Sequence, residues 1–266
     1  GSMMLKHKIV FITGASSGIG KACAEQFAAL GANLILTARR QDRLTDLAET
    51  LKVAHKVEVL PIALDIRDYA LVNQVINDLP EKWKKIDILV NNAGLALSSD
   101  PFQKVDPSNW DTVIDTNVKG LLYVTRALLP EMIARGSGHV INIGSTAGHS
   151  YYAGGNVYCA TKHAVKAITH CLRIDLAGTP IRVSEIAPGA VKSEFSEVRW
   201  NDKARSDAFY DKFTPLLPDD VARSVVFCAI QPAHVNIVEV MVMPTEQNAP
   251  SMITRIGDVP QGGILR

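Results

Sequence analysis

Short apolar, β-branched runs alternate with longer segments of helical periodicity along almost the whole chain. Seven such runs have the composition of parallel strands that are buried on both faces. The predicted strands are Lys8–Ile12, Leu34–Thr37, Val57–Ile62, Ile86–Val90, His139–Ile143, Ile181–Ile186 and Ile237–Val242. Because each run ends before a helical pattern begins, the order along the chain is strand, helix, strand.

The segments between these runs repeat apolar residues every three or four positions, which predicts amphipathic helices. In one of them the spacing puts an apolar stripe on one helix face, and this stripe consists of Ala160, Ala164, Ile168, Cys171 and Leu172. The repeated alternation predicts a Rossmann-type α/β fold, in which a doubly wound parallel sheet of about seven strands has helices on both faces. No Pro/Gly/Ser-rich linker divides the chain, so a single domain is expected.

Two segments interrupt this alternation. Residues 190–217 are rich in charge and follow Pro188-Gly189, which predicts a substrate lid, since long insertions of this kind are usually functional. Residues 244–266 have no clear period and are predicted to be a tail docked on the same or a neighbouring subunit. We expect residues 4–243 to form the catalytic domain and residues 1–3 to be a cloning remnant.

Composition and charge narrow the classes of function. Hydrophobic residues make up 47% and charged residues 21%, as in ordinary globular proteins. Lys+Arg total 28 against 27 Asp+Glu, so nothing favours a nucleic-acid partner. The chain contains no apolar stretch of about 18 residues, so we expect no membrane partner. The four cysteines form no C-x-x-C pair, so we expect no metal site and a reducing, cytoplasmic location.

A glycine-rich turn joins the first predicted strand to the first helix. Gly14 allows a tight turn, Gly18 a close approach of a pyrophosphate, and Gly20 close packing of the helix on the strand. The N–H groups and dipole at the helix start favour phosphate. The residues expected to bind a dinucleotide here are Gly14, Ser16, Ser17, Gly18, Ile19 and Gly20. The spacing G-x-x-x-G-x-G resembles the short-chain dehydrogenase/reductase family.

The end of the second strand bears on the choice of nicotinamide cofactor. An NAD site commonly has a carboxylate there, whereas this chain has Arg39 and Arg40. A guanidinium can bind a 2′-phosphate through two parallel hydrogen bonds, which predicts NADP as the cofactor. The alternative is that both arginines are solvated charges at a strand end, and Arg43 is a weaker candidate.

The family resemblance implies further cofactor contacts along the chain. Asp65 would meet the adenine, with Ile66 beside it, and the Asn-Asn-Ala-Gly segment would wall the adenosine side. The segment after the sixth strand resembles the family's P-G-x-V-x-T motif, with serine in place of threonine. The residues concerned are Asp65, Ile66, Asn91, Ala93, Gly94, Pro188, Gly189, Val191 and Ser193.

Tyr158 and Lys162 are four residues apart at the start of a predicted helix, so they project from one face. A nearby ammonium favours the phenolate and lowers the pKa of a tyrosine, toward a value useful for proton exchange with an alcohol. Ser145 can hold the substrate oxygen. In the family an asparagine anchors a water that links the lysine to solvent, and Asn117 matches it. Asn117, Ser145, Tyr158 and Lys162 are therefore the predicted catalytic residues, and Tyr158 and Lys162 also contact the cofactor.

The lid and the tail resemble the branch of NADP-dependent 3-hydroxy acid dehydrogenases, also described as serine 3-dehydrogenases. This resemblance implies a small anionic substrate such as serine, allo-threonine or 3-hydroxyisobutyrate. A carboxylate calls for a cation, and Arg199 is our candidate, with Lys203 and Arg205 as alternatives. Substrate contacts are thus expected from Ser145, Tyr158 and Arg199.

Two other functions stay open at this level. The same machinery could reduce a different aldehyde or ketone, including a sulfonated aldehyde, or the fold could serve as a non-catalytic dinucleotide-sensing module. His149, Tyr151 and Tyr152 lie between Ser145 and Tyr158, where they could line the pocket or pack against the core. The family resemblance also implies a homotetramer.

Overall fold

A computed structural model of the chain describes residues 3–192 and 202–255. Its centre is a sheet of seven strands, all parallel, in the order β3-β2-β1-β4-β5-β6-β7. The strands are β1 Ile9–Ile12, β2 Asn33–Ala38, β3 Val59–Ala63, β4 Ile88–Asn91, β5 His139–Ile143, β6 Arg182–Pro188 and β7 Glu239–Val242. The predicted doubly wound sheet and single α/β domain are confirmed.

Eight α-helices are present in the described residues. They are α1 Gly18–Ala29, α2 Gln41–His55, α3 Tyr69–Asn77, α4 Pro107–Ile114, α5 Leu121–Arg135, α6 Asn156–Asp175, α7 Lys203–Phe209 and α8 Pro218–Ala229. A π-helical turn, Asp115–Gly120, joins α4 to α5 without a break. Three short 3₁₀ segments, Glu81–Trp83, Phe102–Lys104 and Thr146–Gly148, lie in the connections.

The helices cover both faces of the sheet, which explains why the strands carry no polar face. On one face α1, α2 and α8 bury a cluster that includes Phe27, Leu44 and Val225. On the other face α3 and α5 bury a cluster that includes Val72 and Met132. The strand order reverses between β1 and β4, which opens a crevice at the carboxyl ends of these strands.

The tail begins with a small antiparallel pair, β8 Gln247–Ala249 and β9 Met252–Ile253. This pair follows β7 along the chain. It packs against the loop after β6, to which Gln247 is hydrogen-bonded. Across the described residues, no helix has the length and apolarity that a membrane span requires.

The predicted apolar stripe of α6 is only partly buried. The buried residues of this helix include Lys162, Val165 and Thr169, whereas Ala160 and Cys171 are exposed. The polar side chains on the inner face are held by hydrogen bonds, one of which runs from Asn142 Nδ2 to Thr169 Oγ1 at 3.0 Å. Ala164, Ile168 and Leu172 are partly buried, and Leu172 packs against the core, so burial on this helix follows hydrogen bonding as well as apolarity.

We expect Phe27→Ala to destabilise the protein by about 3–5 kcal/mol, since it empties a fully buried aromatic site between α1 and the sheet. Urea unfolding followed by circular dichroism measures this change. Val53→Ala on the outer face of α2, where the side chain is 80% exposed, should change stability by less than about 0.5 kcal/mol. Equal effects of the two substitutions would contradict the assignment of this core.

Candidate active site

A cleft lies at the carboxyl ends of β1 to β4, beside the point where the strand order reverses. Its cavity volume is about 200 Å³. The predicted cofactor residues that line it are Gly14, Ser16, Arg39, Arg40, Asp65, Ile66, Ala93 and Gly94. The structure thus gathers residues from four separate strand ends around one cavity, as expected for a dinucleotide site on this fold.

The glycine-rich turn between β1 and α1 has the backbone shape that the sequence predicts. Gly14 and Gly18 have φ values of +60° and +56°, which side chains rarely tolerate. A Cβ at Gly20 would lie 2.1 Å from the Gly14 carbonyl oxygen. Ser17 precedes α1 without capping it through its side chain, so the first N–H groups of the helix remain available to an anion.

Two side chains that the sequence reasoning did not single out hold this turn. The Thr13 hydroxyl accepts hydrogen bonds from the N–H groups of Asn92 and Ala93, both at 3.0 Å. Asn92 Nδ2 donates to the carbonyl oxygens of Thr13 and Gly14 at 3.2 and 3.0 Å. The neighbouring Asn91, a predicted cofactor contact, is instead buried and donates to Thr125 and Asn142. The sequence signal for these two residues is their position: Thr13 directly precedes the glycine turn, and Asn92 is the second residue of the Asn-Asn pair.

Three guanidinium groups line the cleft, one more than the sequence analysis identified. Arg39 and Arg40 are exposed at the end of β2. Arg67 forms two short hydrogen bonds to the Asp65 carboxylate, from Nε at 3.0 Å and from Nη2 at 2.7 Å. This pairing with Arg67, assisted by the charge of Arg39, lowers the pKa of Asp65. The carboxylate is therefore neutralised locally, and the cleft keeps a positive balance that suits a phosphate.

Tyr158 and Lys162 lie in the first turns of α6, with the Lys162 ammonium 5.9 Å from the centre of the Tyr158 ring. The lysine is buried, and Nζ donates to the Ile143 carbonyl oxygen at 3.2 Å. Burial lowers the pKa of Lys162 to about 8, while Glu185 acts in the opposite direction. A buried cation next to a phenol is the arrangement that favours the phenolate.

Asn117 occupies the π-helical turn, a local geometry that is frequent at functional sites. Its side-chain amide exchanges two hydrogen bonds of 2.9 Å with the backbone of Leu95 and donates a third to Thr161 at 3.2 Å. By holding Leu95, these bonds also fix the neighbouring Gly94. A Cβ at Gly94 would lie 3.5 Å from Lys162 Nζ, so this glycine is close to the lysine. Both protons of the amide are engaged, so a water at Asn117 would donate to the side-chain oxygen, which can accept a second hydrogen bond, or contact the backbone of this turn.

Ser145 lies just past β5, on the same strand end that accepts the hydrogen bond from Lys162. Its hydroxyl accepts from the Ala147 N–H at 3.0 Å and starts the 3₁₀ turn Thr146–Gly148. This contact orients the hydroxyl oxygen and leaves its proton available for donation. Tyr151 is 82% exposed and stacks on His163, with ring centroids 4.9 Å apart.

The loop after β6, Pro188 to Val191, is braced by the tail. Gln247 is buried, and its Oε1 accepts from the Ala190 N–H at 2.9 Å. A Cβ at Gly189 would lie 2.1 Å from that same oxygen, so the tail and the loop need a glycine here. The Tyr210 hydroxyl, from the end of α7, donates to the Val191 carbonyl oxygen at 2.7 Å. Gln247 is a further residue that the sequence analysis missed.

Two predicted contacts, Ser193 and Arg199, lie outside the described residues, together with the middle of the predicted lid. The alternative substrate cations, Lys203 and Arg205, are exposed on α7 and are not among the residues that line the cleft. Arg255 from the tail packs over the rings of Phe209 and Phe213 and donates to the Phe209 carbonyl oxygen at 2.8 Å. The described part of the lid is therefore held by the tail.

Comparison with known proteins gives a consistent result. The family model for short chain dehydrogenase matches residues 8–204. The chain is 50% identical over 241 residues to sulfoacetaldehyde reductase 2 of Chromohalobacter salexigens, which covers 90% of this chain and 95% of that protein. It is 46% identical over 243 residues to the NADP-dependent 3-hydroxy acid dehydrogenase YdfG of Escherichia coli K12, covering 90% and 96%.

Solved structures agree with these relatives. The closed form of a serine dehydrogenase complexed with NADP+ superposes with a TM-score of 0.87 at 44% identity, covering 93% of this chain and 99% of that one. A metagenomic short-chain oxidoreductase in complex with NADP superposes with a TM-score of 0.77 at 32% identity, covering 91% and 99%.

We expect Gly20→Ala to weaken NADP(H) binding at least tenfold, because a Cβ at this position collides with the Gly14 carbonyl and pushes α1 away from the turn. Fluorescence titration with NADPH measures the dissociation constant. Gly136→Ala is the control, since it also adds a Cβ to a glycine but does so at the end of α5, where no atom lies within 4 Å of the added Cβ. Cofactor affinity lowered equally in both variants would contradict this role for Gly20.

Proposed function

Because the chain belongs to the short-chain dehydrogenase family, we propose that it is an NADP-dependent oxidoreductase that interconverts a small 3-hydroxy acid and its 3-oxo acid or semialdehyde. The observation that carries this proposal is the buried Lys162 beside the Tyr158 ring, at the edge of an arginine-lined cleft. Its NADP-dependent relatives act on CH–OH groups, and one of them is named for 3-hydroxy acids.

The residues of the cleft fit NADP. The glycine turn leaves open space at Gly18, where no atom lies within 4 Å of a Cβ position, and the start of α1 offers N–H groups. Arg39 and Arg40 would hold the 2′-phosphate, while Asp65 and Ile66 would flank the adenine. When bound, the nicotinamide supplies hydride exchange with the substrate carbon.

The chain's own residues would handle the proton of the substrate. Ser145 holds the substrate oxygen by donating its free hydroxyl proton. Tyr158 takes the proton of the 3-hydroxyl during oxidation and returns it to the carbonyl during reduction. The Lys162 ammonium stabilises the phenolate, an effect that fades as pH rises above about 8, where the lysine loses its own proton.

The proposed substrate class rests on the likeness to the 3-hydroxy acid and serine dehydrogenases. An acid substrate needs a cation, and we propose Arg199 in the lid for this role, with Lys203 and Arg205 as the alternatives. A second candidate is reduction of a sulfonated aldehyde, which the 50% identity to sulfoacetaldehyde reductase 2 favours. A sulfonate and a carboxylate are both small anions that a guanidinium binds, so the two candidates share one site.

Exposed apolar side chains support self-association, and we propose a homotetramer. On α5 and α6, Leu122, Ile133 and Ile174 are 41%, 46% and 70% exposed. Phe227 on α8 and Met241 on β7 add a second exposed apolar area. Burying two such areas between copies accounts for their exposure in one chain. Light scattering that gave a monomer would contradict this assembly.

We propose that the protein works in the reducing cytoplasm. All four cysteines are free thiols, and Cys23, Cys159 and Cys228 are buried. Free thiols persist in a reducing compartment. Recovery of the protein in an extracytoplasmic fraction of its host cell would contradict this location.

Arg39→Ala and Arg40→Ala should each raise the Michaelis constant for NADP+ by roughly 10- to 100-fold, the effect of losing a charge-assisted hydrogen bond to phosphate. The value for NAD+, which lacks the 2′-phosphate, should change little. Steady-state kinetics with both cofactors measures this difference. Lys52→Ala, near the other end of α2, is the control and should change neither value. A parallel loss for NADP+ and NAD+ in the arginine variants would contradict the proposed phosphate contact.

Tyr158→Phe should lower turnover by about 10² to 10⁴, because it removes the group that exchanges the proton, while NADPH binding should remain. The test compares serine, allo-threonine, 3-hydroxyisobutyrate and 3-hydroxypropionate with sulfoacetaldehyde and simple secondary alcohols as substrates. A higher kcat/KM for one of the acids supports the proposal, and a higher value for sulfoacetaldehyde supports the second candidate. Near-normal turnover by Tyr158→Phe would refute the mechanism, and binding without turnover on any substrate would favour a dinucleotide-sensing module.

A further inference from the structure

Glu185, in the middle of β6, is a buried acid that the mechanism above does not use. Its side chain is 1% exposed, and neither carboxyl oxygen has a hydrogen-bond partner in the described part of the chain. The space for it exists because residue 144 is glycine, where a Cβ would lie 2.3 Å from Glu185 Oε1. Burying a carboxyl group that has no hydrogen-bond partner costs free energy, so we expect a compensating charge nearby.

Charged groups from three elements face this carboxyl group. Glu239 is its register partner on β7, and His149 comes from the loop after β5. One carboxylate oxygen from each glutamate and one ring nitrogen of His149 all lie within 4.8 Å of one another. From α6, Lys162 and Lys166 act on Glu185 electrostatically. Five titratable groups therefore share the space between β6, β7 and α6.

The close polar contacts of this cluster, one ion-pair contact and one hydrogen bond, favour proton sharing over metal binding. His149 Nε2 lies 2.8 Å from Glu239 Oε1, and Lys166 Nζ lies 3.0 Å from His149 Nδ1. The Lys166 ammonium thus supplies the positive charge that a metal ion would otherwise supply. His163, one turn from Tyr158 on α6, also acts on His149. His149 is partly exposed, so the cluster reaches the protein surface.

The cluster connects to the candidate active site through the end of β5. Lys162 Nζ donates to the Ile143 carbonyl, and the next residue, Gly144, is the one against which Glu185 packs. Burial and the charge of Glu239 raise the pKa of Glu185 to about 7, while burial lowers the pKa of Lys162 to about 8. Because the two groups also interact electrostatically, the charge of one affects the charge of the other.

We propose that Glu185 is a positioning residue for proton transfer: its carboxylate, buried beside the partly exposed Glu239 and His149, keeps Lys162 in its charged form. This inference rests on the proposed function, in which the charged Lys162 stabilises the Tyr158 phenolate. Glu239 restrains the effect, since its own negative charge favours the neutral form of Glu185.

The test follows NADPH affinity as a function of pH, by fluorescence titration. In the wild type, affinity should fall as Lys162 loses its proton. Glu185→Gln keeps the shape of the side chain and removes the charge, so the midpoint of this fall should move to lower pH by about one unit. Glu185→Asp should bring it back toward the wild-type value. In Glu239→Gln, Glu185 ionises more readily, and the midpoint should not move down.

Lys162→Met provides the decisive background, because no titrating amine remains there. Glu185→Gln added to Lys162→Met should cause no further pH shift. A shift that persists in this background, an equal shift in Glu185→Gln and Glu239→Gln, or no shift in Glu185→Gln would each overturn the proposal. Since NADPH binding needs no substrate, failure of every candidate substrate would refute the proposed function without affecting this result.

Protein stability gives a second readout of the Glu185 charge. A carboxyl group whose pKa is raised from 4.5 to about 7 opposes folding fully above the folded value and not at all below the unfolded one. Glu185→Gln should therefore gain thermal stability over the wild type as pH rises from about 5 to about 8. The surface variant Glu58→Gln is the control, and a pH-independent difference between wild type and Glu185→Gln would contradict titration of this group.

Discussion

Four hydrogen bonds tie the end of β1 to the end of β4, and the candidate site is built on them. They join Thr13 and Gly14 to Asn92 and Ala93 across the point where the strand order reverses. The bonds fix the glycine turn, and with it the start of α1, relative to the Ala93-Gly94 segment that forms the opposite wall of the cleft. Without these side-chain bonds, only the backbone ladder of β1 and β4, which ends with the Thr13 N–H donating to the Val90 carbonyl, would position the two strand ends.

A further set of hydrogen bonds connects this cleft to the helix that contains Tyr158 and Lys162. Gly94 leads into Leu95, whose backbone is held by Asn117 through two hydrogen bonds. Asn117 also contacts Thr161, the neighbour of Lys162 in α6. A buried network that includes Asn91, Asn142 and Thr169 ties β4 and β5 to the same helix. Buried polar groups destabilise a fold unless they are hydrogen-bonded. This network therefore specifies one arrangement of the strands and the helix.

Charge in this protein is arranged locally, although the whole chain carries a net charge of only +1. Arg39, Arg40 and the Asp65–Arg67 pair give the cleft a positive balance, which suits phosphate. Behind Lys162, Glu185 lies beside Glu239 and interacts electrostatically with Lys162 and Lys166. The cleft and the buried cluster are thus electrostatically different environments on either side of the residues that would exchange the proton.

The sequence by itself determined the fold, because seven apolar runs alternating with helical periods leave few topologies other than a doubly wound parallel sheet. It also identified Gly14, Gly20, Tyr158 and Lys162, whose spacing along the chain is itself the geometric signal. Only the tertiary structure decided which face of α6 is buried, since polar side chains there find partners on distant strands. It alone placed Arg67, Asn92, Gln247 and Glu185, because their roles depend on contacts with residues far away in the chain, and no local pattern records such contacts.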